Sequence, residues 1–127
     1  MLTASAISRA KIGRAIRAAL RWLREAACDA VGPSALIKCV TALELLLVGG
    51  TGTPSRAISE RGAYLLSDDP KEREMISGAL REIYERRGRV VHGNDLRDDL
   101  EIHVEASFTL ATLITAVLAR NIVALPN

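Results

Sequence analysis

Wherever this chain is long enough between breaks to show a rhythm, its apolar residues recur at steps of three and four and do not alternate with polar ones. That spacing lines one face of an α-helix, whereas a half-buried strand needs a step of two, so the chain is confined to helices. A first helix is predicted over residues 4 to 31, with Ile12, Ile16, Leu20, Leu23, Ala27 and Val31 facing inward and Gly32-Pro33 as its stop. A second runs from about Ser34 to Val48, rich in Leu, Ile and Val, and ends at Gly49-Gly50. Thr53-Pro54 reads as N-cap and first-turn proline of a third, Pro54 to Leu66. Asp69, Pro70 and Glu72 open a fourth as cap, first-turn proline and capping-box acid, and Gly93-Asn94 suits a left-handed end just past Val91. Asp98 with Glu101 repeats the capping box for a fifth helix reaching about Val123. Short loops between five helices make an all-α, up-and-down bundle, and 127 residues suit one domain spanning 1–127.

Charge narrows the partners. The net charge is +2, too small for the whole molecule to act as a cationic trap for nucleic acid, but its distribution is uneven. Residues 1–32 carry six basic and two acidic side chains, and residues 98–127 carry one basic and four acidic. Lys11, Arg14, Arg17, Arg21 and Arg24 stack into one ridge on the first helix, either a solvated face or a track for phosphates. A DNA-binding regulator would rest on that ridge alone, without helix-turn-helix spacing. Gly49-Gly50-Thr51-Gly52-Thr53 follows a helix and has no P-loop lysine, so it reads as a connector. Cys28 and Cys39 form no CxxC pair and no metal spacing, which implies reduced, buried thiols and no metal or cofactor. Arg9, Lys11, Arg14 and Arg17 break up any N-terminal apolar core of a signal peptide. The uncharged run Ala106 to Ala119 is shorter than the ~18 residues of a membrane span. These features predict a soluble cytoplasmic protein with no membrane partner.

Within the fourth helix the inward stripe reads Ile76, Leu80, Ile83, Arg87, Val90 and Val91, so Arg87 occupies a position due for a core residue. A guanidinium keeps its charge and needs a partner when buried: a carboxylate, a phosphate or a groove on another subunit. Glu44, the only acid of the second helix, lies beside Val40, Leu43 and Leu47 and could pair with Arg61 or Arg87, or sit at the surface. His92 follows Arg87 with four residues between them, at the helix end, where an imidazole interacts well with the dipole. In an ideal helix such residues point about 140° apart, so they share a face only if the helix distorts or ends between them. Arg86, Arg89 and Asn94 flank the pair as candidates for neighbouring phosphates, and His103 is expected to be exposed.

Ala42-Leu43-Glu44, Arg61-Gly62-Ala63-Tyr64-Leu65-Leu66 and Ile83-Tyr84-Glu85-Arg86-Arg87-Gly88-Arg89-Val90-Val91-His92-Gly93, taken in order, resemble the Apea-like branch of the HEPN superfamily over roughly residues 36 to 94. Family members show a similar "ALE", then an arginine-bearing helix, then "Y-x-x-R-S-x-x-V-H-G". The resemblance implies a homodimer whose two Arg-x4-His motifs face each other across a cleft and act on RNA, often as a metal-independent endoribonuclease. In that scheme Arg87 holds the scissile phosphate and His92 moves protons, with Glu44 and Tyr84 supporting them. It further implies a toxin or antiviral effector, with an antitoxin or other partner protein. Gly88 departs from the pattern, which has a polar residue there. A non-catalytic HEPN dimerisation or interaction scaffold is therefore the second implied function.

Overall fold

The computed structural model describes residues 4–29, 32–48, 53–93 and 100–124. Five helices account for them: α1 (Ala4–Ala27), α2 (Gly32–Leu47), α3 (Pro54–Leu66), α4 (Pro70–Val91) and α5 (Leu100–Ala124). The all-α bundle follows from the three-four rhythm, and the bounds of α3 and α4 coincide with those read from their prolines and caps. Asn94 and Asp98 lie outside the described residues, as do Val31 and Gly49 to Gly52.

The first boundary differs. Gly32-Pro33 begins α2 instead of merely ending α1, because proline in a first turn gives up only an amide that has no helical partner. The inward line of α1 also differs. Ile16, Ala19, Leu23 and Ala26 are buried, while Leu20 is exposed and Ala27 faces outward. The two alanines bring α1 close to α2, its most extensively contacted neighbour. Lys11, Arg14, Arg17, Arg21 and Arg24 are all exposed, as a ridge requires.

Helix α2 is the axis of the bundle and touches each of the other four. Its Leu36, Cys39, Val40, Ala42 and Leu43 are almost fully enclosed. The larger apolar cluster joins Leu43 and Leu47 to Leu23, Ile58, Leu80, Ala111 and Ile114, and a smaller one joins Leu36 and Val40 to Ile83 and Leu100. At the α2 C-terminus, Arg61 donates from Nη1 to the carbonyls of Leu47 and Val48, the latter at 3.0 Å. It thereby satisfies acceptors that a helix end leaves without partners.

The α3–α4 corner is built by local hydrogen bonds. Glu72 N donates to Asp69 Oδ2 at 3.0 Å, the cap expected of Asp69. The Glu72 carboxylate accepts from Ser67 Oγ at 2.6 Å, and Asp69 N donates to that same oxygen. Ser67 thus stands where a simple capping box would close on the cap's own amide. Thr53 precedes α3 in extended conformation but makes no side-chain cap, so Pro54 carries that start.

Candidate functional site

Helix α4 runs without a break through Val91, so Arg87 and His92 leave it in directions about 140° apart. His92 is the C-cap: its N–H donates to Gly88 O at 3.3 Å, and its side chain is exposed. Gly93 follows with φ +72°, the left-handed turn that glycine takes without strain.

Arg87 is held from two sides. Its Nη2 donates to Glu44 Oε1 on α2 at 3.2 Å, and its guanidinium carbon lies 5.7 Å from the centre of the Tyr84 ring, one turn back on α4. Of the two arginines that Glu44 could have served, the structure selects Arg87, since Arg61 is occupied at the α2 carbonyls. The ion pair is neither sealed nor free: the two side chains are 28% and 29% exposed. Arg87 Nε is buried and makes no hydrogen bond among the described residues. One carboxylate oxygen for five N–H donors leaves the guanidinium able to take a further acceptor.

Arg86 is placed otherwise than expected of a phosphate contact. It is fully buried, and its Nη1 lies 2.7 Å from His103 Nδ1 on α5. Because a guanidinium only donates, His103 Nδ1 accepts, which places the imidazole proton on Nε2. His103 is accordingly half-buried rather than exposed. Adjacent on α4, Arg86 reaches toward α5 and Arg87 toward α2. Arg89 stays exposed in the last turn. The structure thus brings Glu44, Tyr84 and Arg87 together, sets His92 and Arg89 at the same helix end, and takes Arg86 inside.

Among the described residues, Arg87 and His92 line neither of two open grooves. One, of about 580 Å³, lies between the end of α1, the start of α2 and α5, with Cys39 and Phe108 in its wall. The other, of about 520 Å³, is walled by Leu45, Tyr64 and Leu118 among others. Among the described residues no three His, Cys, Asp or Glu side chains gather as a metal site would require. Both cysteines are free thiols, and Cys28 is exposed where a buried thiol was expected. Burial pushes the Cys39 thiol above its ordinary pKa, and a hydrogen bond with Ser107 works in the opposite direction. A thiol-specific disulfide reagent should therefore titrate Cys28 quickly and Cys39 slowly in the native protein, with Cys28→Ser abolishing the fast phase. Equal rates for both thiols would contradict the enclosure of Cys39.

The chain was compared with family models, curated proteins and solved structures, and none of them matches it.

Proposed function

We propose that this chain is an RNA-binding helical domain of HEPN type that acts as a homodimer and cleaves RNA, without a metal, at the C-terminal end of α4. The observation that supports it most is the condition of Arg87. Glu44 and Tyr84 orient its guanidinium while leaving part of it open, at the same helix end as the exposed His92. A guanidinium binds two non-bridging phosphate oxygens and offsets the charge that builds during in-line attack. A histidine accepts the proton of the 2′-hydroxyl as its oxygen attacks phosphorus. The bond from phosphorus to the 5′-oxygen breaks, that oxygen takes a proton from a second acid, and a 2′,3′-cyclic phosphate and a 5′-hydroxyl remain. In this reading, with Arg87 and His92 diverging on one helix, two copies together present the pair: Arg87 of one and His92 of the other. A role as toxin or antiviral effector, with an antitoxin or other partner protein, goes with the same reading.

The test is incubation of end-labelled single-stranded RNA with the purified chain in excess EDTA, beside Arg87→Ala and His92→Ala. Cyclic-phosphate products from the wild type, lost in both folded variants and partly regained when the variants are mixed, are the expected result. An inactive wild type, or variants as active as it, would overturn the catalytic reading.

One observation favours a second reading, a non-catalytic dimerisation or interaction scaffold. A Cβ at Gly88 would meet nothing within 4 Å, so there is room for a polar side chain beside Arg87 and none is present.

A further inference from the structure

The groove of about 520 Å³ draws its walls from four helices. Ile12 and Ala15 of α1, Leu45 and Leu46 of α2, Leu65 of α3 and Leu118 of α5 make them apolar, and Leu45 is 41% exposed. The charged lining is Lys11, Glu60 and Arg61. Lys11 is exposed and has no ion-pair partner among the described residues, whereas Glu60 accepts from Arg56 Nε at 2.9 Å and is thereby answered. Arg61 uses only Nη1 on the Leu47 and Val48 carbonyls. It offsets the negative end of the α2 dipole and keeps the donors of Nη2 and Nε for a further acceptor.

We propose that this groove binds a medium-chain fatty acid, its alkyl chain along the leucine-rich walls and its carboxylate on Lys11 and Arg61. Leucine side chains and an alkyl chain both lose water when they meet, which drives binding without any directional contact. The two cations then select the head group: a carboxylate accepts from both, an alcohol brings no charge, and an ammonium is repelled. Helices α1 and α2 pack as a hairpin, so Lys11, about two turns into α1, and Arg61, at the C-terminal end of α2, stand toward the same end of it. One head group can therefore meet both within the same groove.

A partner helix is a poorer fit. A helix about 10 Å across that rises 1.5 Å per residue fills roughly 120 Å³ per residue, so the groove would take little more than one turn of it. Helix-in-groove recognition spreads its anchors over about two turns or more, whereas small-ligand sites commonly measure about 300–1,000 Å³. Leu118 also belongs to Leu100–Ile122, a stretch long and apolar enough to cross a membrane, so a lipid surface is the competing occupant. The proposal is independent of any activity at Arg87 and His92, which do not line this groove.

Calorimetric titration of the full chain with sodium decanoate, kept below its micellar concentration, should show saturable one-to-one binding, unchanged in Arg87→Ala. Octanoate should bind more weakly by about fourfold for each methylene removed, as expected when each is buried. Lys11→Glu should weaken decanoate binding about tenfold or more and leave that of decan-1-ol unchanged, and decyltrimethylammonium should bind far less than decanoate. Leu45→Glu should abolish decanoate binding with helical circular dichroism and thermal unfolding unchanged, because Leu45 is an exposed wall residue. No saturation by ~1 mM, decan-1-ol binding as tightly as decanoate, or decanoate binding indifferent to Leu45→Glu would overturn the proposal. So would a chain that pellets with phosphatidylcholine vesicles while decanoate fails to bind, which would give the walls to a lipid surface.

Discussion

Arg86→Ala should lower the unfolding free energy by about 3–5 kcal/mol, the largest loss expected from truncating any one polar side chain of this bundle. Arg86 is fully enclosed, so truncation leaves a cavity, and it strips the Nδ1 acceptor of His103 of its donor at 2.7 Å. Domains of this size are typically stable by about 5–15 kcal/mol, so the loss would be a large fraction of the whole. Arg86→Met keeps the length and apolar stem and so avoids most of the cavity, but it too strips His103 Nδ1 of its donor and should recover only part of the loss. Urea unfolding followed by Trp22, the single tryptophan, which packs against the larger cluster, reads both. A loss below about 1 kcal/mol for Arg86→Ala, typical of surface substitutions, would mean that the side chain is not enclosed.

Gly62→Val should destabilise by about 3 kcal/mol, the upper end of over-packing effects. A Cβ at Gly62 would lie 2.5 Å from Leu80 Cδ1, 3.4 Å from Ile114 Cδ1 and 3.5 Å from Leu47 Cδ1, so α2, α4 and α5 all close on α3 at this point. Leu80 is fully buried, so its methyl can move only by displacing packed neighbours. Leu80→Ala alone should cost about 2–5 kcal/mol through the cavity it leaves. The double variant should cost clearly less than the two together, since each change supplies what the other lacks, with a coupling of about 1–3 kcal/mol. Strict additivity would show that the two residues do not meet.

The bundle was legible in the sequence because its signals are local. Pro54, Asp69 and Pro70 act within one turn of their own positions, so α3 and α4 begin where they were expected. What was not legible depends on neighbours distant in sequence. Arg86 and Arg87 differ by only about 100° on the helix, and a periodicity count assigned the inward position to Arg87. The placement of His103 on α5 and Glu44 on α2 decides it otherwise. Leu20 yields its place to Ala19 for a similar reason, since closeness to α2 favours the smaller side chain over the more apolar one. Arg61 could not be assigned to the α2 carbonyls from a pattern, as it reaches 13 and 14 residues back along the chain. Gly62 did carry a signal. A glycine inside a helix costs about 1 kcal/mol against alanine, and close approach of another element is a standing reason to keep it.

The order in which the helices meet bears on how the chain emerges from a ribosome. α1 pairs with α2 and α3 with α4, two hairpins of near neighbours, but Ala111, Ile114 and Leu100 of α5 complete both apolar clusters. Neither cluster closes before α5 arrives. At about 5–20 residues per second, the stretch from Val91, where the second hairpin ends, to Ala124 takes roughly 2–7 s to make, and during that interval both nascent hairpins display apolar faces to solvent. Protection of the growing chain, more than the speed of any helix, then sets the yield of folded protein.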